Sequence, residues 1–298
     1  MMRSKPYSRS SVRRALLLNL SVILFLFSGC SLSTAPTYIK EGLDKAIQDI
    51  CKKEYSMDVK VTLSGSTLWV YLPVEDMLAK SDKPEKYLEK FIIDDNKVDF
   101  KEGLLKLDYM IKSIPENEKT QEYKYNKAVL DKINNVWKAL RRVLFSMERS
   151  KEGNEPKFLC LVTADIKNGF ETKEISYYQD LKKVSYEFIS WTEYQHRVIE
   201  QSEVSSTIMG DMEGKHMDYK DISMEEFIAF QIKHRIKLKF QKPEVGKDID
   251  IDKEILKIAA YTIRTYDIKN FTGLELNNLV TNNRIVLNRA ALWARPIE

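Results

Sequence analysis

Glycine (10) and proline (8) are scarce in this chain of 298 residues, and cysteine (3) and histidine (3) are scarcer still. So little glycine and proline excludes collagen-like repeats and low-complexity disorder. Three cysteines cannot build a disulfide-dense scaffold, and no two of them form a CxxC pair. The longest apolar run is 13 residues, which excludes a many-pass membrane protein. GxxxxGK[ST], GxGxxG, HExxH and GxSxG are all missing. Their absence argues against P-loop hydrolysis, Rossmann binding, zincin proteolysis and the common serine hydrolase fold, but not against an enzyme with dispersed residues.

What is present is a core-forming composition, 43% hydrophobic and 31% charged. At roughly 150 residues per domain, the length allows one large domain or two small ones. The net charge of +4 is unevenly placed. Arg3, Lys5, Arg9, Arg13 and Arg14 lie in the first 29 residues with no acid among them. The remainder carries 43 bases against 44 acids, so a nucleic-acid partner is not expected.

The N-terminus reads as a targeting segment. Basic residues precede the apolar run Ala15 to Phe27, and the small residues Ser28 and Gly29 follow it. A charged region, a short apolar region and a small-residue cut site make a secretory signal. As a helix the run is roughly 20 Å long, short of the roughly 30 Å hydrocarbon core.

Leu26-Phe27-Ser28-Gly29-Cys30 resembles the box of bacterial lipoproteins, in which cysteine follows two small residues and an apolar one. The resemblance implies a signal peptide over residues 1–29, cleavage just before Cys30, and a diacylglycerol on its thiol. It concerns processing only. Ser31, where an Asp would favour inner-membrane retention, implies the outer membrane in a double-membraned cell. Residues 30–37, with the small polar run SLSTAPT, read as a flexible tether of roughly 15 Å.

In the mature chain one order of elements recurs. Ile39, Leu43, Ala46, Ile47, Ile50 and Cys51 fall at helical spacing; Val59, Val61 and Leu63 then alternate up to the turn Ser64-Gly65-Ser66, and Leu68, Val70 and Leu72 alternate back. Ala128 to Phe145 repeats the helix. After the Gly153-Asn154 break, Phe158 to Thr163 and Phe170 to Tyr178 repeat the hairpin. Ile255 to Ile263, followed by strands either side of Asn282-Asn283, makes a third such unit. Ile92 to Ile111, Leu181 to Ile199 and Met224 to His234 read as further helices, and Ile236 to Phe240 as a short strand. Ser113 to Gln121 and Gln201 to Asp221 read as linkers. The expected class is α+β: helix-plus-antiparallel-hairpin units packed into one or two domains, divided as 38–114 and 122–298.

Few residues signal chemistry. Cys51 and Cys160 sit in apolar patterns and read as buried free thiols, with a disulfide between them as the alternative in an oxidising compartment. His216 lies in Asp211-Met212-Glu213-Gly214-Lys215-His216, which reads as a solvated acidic loop, and His196 and His234 as surface or boundary residues. Asp94-Asp95, Glu225-Glu226 and Asp248/Asp250/Asp252 read as solvated faces or helix starts. Trp69 and Tyr71 share one face of their strand, the face opposite Leu68, Val70 and Leu72, and would offer a contact to a protein or glycan partner if exposed. No catalytic residue, metal site or cofactor motif is expected. The expected role is that of a membrane-anchored envelope lipoprotein acting as a binding or assembly module. The alternatives are a hydrolase or transferase on envelope polymers, and a solute-binding lipoprotein.

Overall fold

The computed structural model describes residues 38–94, 97–146 and 155–294. The signal segment, Cys30, the tether and Gly153-Asn154 lie outside the described residues. The chain begins with α1 (Leu43–Tyr55), β1 (Lys60–Ser64), β2 (Thr67–Val74), β3 (Leu78–Ile93), β4 (Lys97–Lys101), β5 (Leu104–Tyr109), β6 (Ile111–Tyr125) and α2 (Lys127–Phe145). There follow β7 (Phe158–Asp165), β8 (Phe170–Tyr177), α3 (Tyr178–Ser185), α4 (Trp191–Gln195) and β9 (Ile199–Val204). The last elements are α5 (Met224–Phe240), α6 (Ile251–Thr265), β10 (Gly273–Asn278), β11 (Asn283–Asn288) and α7 (Arg289–Ala294).

The fold is α+β, and all three helix-then-hairpin units form: α1 with β1–β2, α2 with β7–β8, and α6 with β10–β11. Local pattern suffices for this, because each hairpin turn carries a residue tolerant of positive φ. At the first turn, Gly65 has φ +57°, and a Cβ there would lie 2.3 Å from Asp221 Oδ2. At the third, Asn282 has φ +57°.

Besides a two-stranded ribbon of β3 and β6, two larger sheets result, ordered β1-β2-β7-β8-β9 and β11-β10-β5-β4. In each, two antiparallel hairpins meet along a parallel seam, β2 with β7 and β5 with β10. Both seams cross the expected boundary between 114 and 122, so the two segments share sheets. One face of the five-stranded sheet, with Leu68, Val70, Leu159 and Leu161, packs on α1, α2 and α3. The other, with Trp69, Tyr71, Cys160 and Val162, joins a second core formed by α5, α6 and the inner residues of the four-stranded sheet. Covered on both sides, β7 is buried along its whole length, which accounts for its unbroken apolar run. Cys51 and Cys160 fall in different cores, on opposite sides of this sheet, and both are free, buried thiols. Burial pushes the Cys51 thiol up to about 11 and that of Cys160 up as well.

Several expected elements differ. Ile92 to Ile111 is not a helix but the end of β3, the β4–β5 hairpin and the start of β6. Its buried residues Phe100, Leu105, Leu107, Tyr109 and Ile111 follow a period close to two. The turn is Glu102-Gly103, both with positive φ, the requirement of a type I′ hairpin. Gly103 cannot carry a side chain, since a Cβ would lie 2.1 Å from the Asn270 carbonyl oxygen. Ser113 to Gln121 is not a linker but lies inside β6, which pairs with β3 in a two-stranded ribbon. No core covers most of that ribbon, so its sequence is polar on both faces and resembles a linker's. Leu181 to Ile199 divides into α3, α4 and the start of β9. Ile236 to Phe240 continues α5, because Ile232, Ile236 and Phe240 are the buried set at a spacing of four. Asp248 to Asp252 and Glu226 do start helices: Asp250 caps α6, and Glu226 closes a capping box with Ser223.

Candidate functional site

A surface cavity of about 650 Å³ forms a cleft between α2, the β8–β9 pair, α4 and α5. Its floor holds two carboxylates. Glu174 of β8 and Glu200 of β9 are directly opposed in the antiparallel register, which places their Cβ atoms about 5 Å apart. Trp137 of α2 donates from Nε1 to Glu174 Oε2 at 3.1 Å, and Tyr125 donates its hydroxyl to Glu200 Oε1 at 3.0 Å. Burial raises the Glu174 carboxyl to about 7, with the charge of Glu200 adding to the rise and the Trp137 bond opposing it. A carboxyl poised there can donate or accept a proton near neutral pH.

Aromatic and basic groups form the walls. Ser190 caps α4 through its hydroxyl, which accepts from the Glu193 amide. The helix so begun presents Trp191, which is 54% exposed, above the buried Tyr194 in an edge contact. The Arg141 guanidinium lies 5.8 Å from the Trp191 ring centroid. On the far wall stand His196, His234 and Leu238. Burial lowers His234 to about 4, and the charges of Arg235, Lys237 and His196 add to that, so its ring is neutral at pH 7.

The cleft is one of a row of depressions. Arg141 and Trp191 also line a shallower one on one side, and His196 and Leu238 line another on the other. Behind the row, a buried ion-pair network fixes α4 against its neighbours. Arg197 donates to Asp180 and to Glu193 at 2.8 Å each, and Tyr266 and Tyr261 donate to the same two carboxylates.

Compared with protein-family models, curated proteins and solved structures, the chain matches none. The cleft therefore rests on its own geometry. Its carboxylate pair left no mark in the sequence, because the two residues are 26 positions apart and belong to strands whose register only the fold sets. Acidic neighbours in sequence are the wrong place to look; an acid at an otherwise half-buried strand position is the usable signal. His196 and His234 are partly buried boundary residues, and both line the cleft.

The expected partner contact at Trp69 and Tyr71 is corrected by their burial. The segment from Ser205 to Ile222 straps across them. Trp69 Nε1 donates to the Lys220 carbonyl at 2.8 Å and Tyr71 to the Asp211 carbonyl at 2.6 Å, while Tyr219 meets the Trp69 ring edge-on. An aromatic face opposite an aliphatic one thus marks a second core.

His216 is the strap's fastener, not a solvated residue. Its Nδ1 lies 2.6 Å from Asp211 Oδ2 and its Nε2 2.8 Å from Glu171 Oε2, the latter carboxylate also holding Lys173 at 2.8 Å. Among the described residues, no group of three or more His, Cys, Asp or Glu is arranged to hold a metal ion. Burial alone would lower the His216 pKa, but the bonds to both carboxylates outweigh it and raise it above 6.5. For a raised pKa the stabilisation is complete below the unfolded value and is lost as pH climbs through the folded one. Asp211 is held low despite its burial by amide donors and His216, so its contribution is lost only as pH falls through that low value. Melting temperature measured against pH is expected to decline above about 6.5. In His216→Gln that decline is expected to shrink to the part Glu174 contributes up to about 7, and an unchanged slope would show that His216 does not titrate there.

Proposed function

We propose that this chain is a lipid-anchored envelope protein whose folded part is a glycan-binding module, with the cleft over Glu174 and Glu200 as its binding site. The anchor is supported by the signal-like segment ending at Cys30. The described residues contain no helix long and apolar enough to cross a membrane. The observation that carries the binding site is Trp191, a half-exposed indole that lines the same cleft as the carboxyl groups of Glu174 and Glu200. Sugar rings present apolar C–H faces and equatorial hydroxyls, which such a combination accommodates. The row of adjoining depressions suits a polymer better than a single small solute.

Intrinsic tryptophan fluorescence, titrated with soluble oligosaccharides released from peptidoglycan, tests this. The intact chain is expected to bind saturably, and Trp191→Ala to weaken binding roughly 30-fold, the effect of truncating an interface anchor by about 2 kcal/mol. Equal binding by both proteins would overturn the reading.

The Glu174–Glu200 pair favours a second reading, a hydrolase or transferase acting on the same class of polymer, because the Glu174 carboxyl is kept protonatable near pH 7 directly across the strand pair from a second carboxyl group. If reducing ends accumulate with the intact protein but not with Glu174→Gln, which keeps the shape and the Trp137 bond, that second reading replaces the first.

A further inference from the structure

Past His196 and Leu238 the cleft adjoins a smaller depression of about 270 Å³, walled by Arg235, Lys239 and Lys242 on one side and Lys257 and Tyr261 on the other. Four of its lining side chains are cations and none is an acid. Their neutralisation is incomplete. Glu254 serves both Lys239, at 2.9 Å, and Lys257, at 3.3 Å. Lys242 is exposed and forms no ion pair among the described residues.

Arg235 is the telling member. Its guanidinium lies 4.7 Å from the Tyr261 ring centroid and its side chain is only 14% exposed. The nearest carboxylate oxygen, Glu193 Oε1, is 3.6 Å away and already accepts from Arg197 and Tyr261. Its Nε and Nη2 are shut off from solvent and find no hydrogen-bond acceptor among the described residues, so the guanidinium charge is only partly compensated where it stands. An oxyanion is the best match for such a charge.

We infer that this depression is an oxyanion subsite at the end of the cleft, so that the ligand is a glycan carrying a phosphate or carboxylate substituent. The inference rests on the cleft being the binding site and adds the charge of what it binds. The aromatic end takes the sugar ring; the basic end takes the anion.

The full chain, solubilised in neutral detergent, is titrated with glucose 6-phosphate, glucuronate, inorganic phosphate and glucose while the His196 ring resonance is followed by NMR. The resonance is identified by its loss in His196→Gln. Glucose 6-phosphate or glucuronate, whichever carries the matching anion, is expected to shift it saturably, and glucose to leave it in place. Arg235→Met is expected to weaken that response about tenfold and Lys242→Ala several-fold. Lys242 is exposed, so its variant keeps the test alive if Arg235→Met fails to fold. Absence of a saturable shift, or equal affinity in folded variants, would overturn the inference. So would a response to phosphatidylglycerol vesicles alone, which would make the patch a membrane contact. Loss of oligosaccharide binding in Trp191→Ala with no response to the anions leaves the cleft standing without the subsite. A response to the anions with Trp191→Ala unimpaired leaves the subsite standing without the glycan reading.

Discussion

Arg197→Met is expected to lower stability by roughly 3–5 kcal/mol, the cost of leaving a buried carboxylate without its partner. Asp180 is only 1% exposed and Arg197 9%, and the two are joined at 2.8 Å. Methionine fills much of the same volume but offers no donor, so Asp180 would keep only the Tyr266 hydroxyl and, at 3.6 Å, Lys183. Glu193 would lose its bond from Arg197 Nε as well. The Arg197 backbone carbonyl also accepts from the Gln231 side chain of α5, so the same residue ties the β9 approach to the helix behind the cleft. A chain of this size should show a fall in melting temperature on the order of 10 °C. The double variant Asp180→Leu with Arg197→Met should recover part of that loss, because removing both charges removes the uncompensated one. Unchanged melting of Arg197→Met would mean that the pair is solvated and contributes no more than an exposed one.

Cys30→Ser is expected to shift nearly all of the protein out of the mature membrane fraction. If the thiol of Cys30 bears a diacylglycerol, the acyl chains hold the molecule by roughly 0.8 kcal/mol per buried CH₂, and two or more chains make the attachment effectively permanent. Serine offers no thiol to acylate, so the protein should either remain a precursor with its leader or be released. No described helix is long and apolar enough to span a membrane. Fractionation together with intact-mass measurement distinguishes the cases. Wild-type behaviour of the variant, with the same mass as the unaltered precursor in both, would overturn the assignment of the anchor and with it the envelope location.

Much of the local structure was legible in the residues. Leu43, Ile47, Ile50 and Cys51 are a helical stripe in sequence and a buried stripe in space. Val61 and Leu68, either side of Gly65, announce their hairpin. The reading failed where a segment lacked a covered face. Lys80 to Glu89 and Lys112 to Lys124 form a ribbon exposed on both sides, so no hydrophobic alternation marks it. It failed again where one helix has two apolar flanks: α5 buries Ile232, Ile236 and Phe240 in the core and turns Leu238 to the cleft, which in the sequence looks like alternation.

The cleft was the least legible part. Its members come from α2, β8, β9, α4 and α5, and no short motif can encode a meeting of residues that far apart. A tryptophan such as Trp191 is conspicuous by residue type alone, whereas Glu174 and Glu200 are two acids among 44. Trp69 and Tyr71 drew attention for the wrong reason, because the face they occupy is covered by a strap more than 130 residues away in the chain, whose hold depends on His216.

The residues alone determined the three helix-then-hairpin units and the division of their strands into two faces, since these follow from side-chain spacing along a few turns of backbone. Only the tertiary structure decided which hairpins join along the parallel seams, which faces are covered, and which charges end up opposite one another. Those outcomes depend on contacts between distant segments, where the free energy of burial is set by the partner surface and not by the sequence of either one.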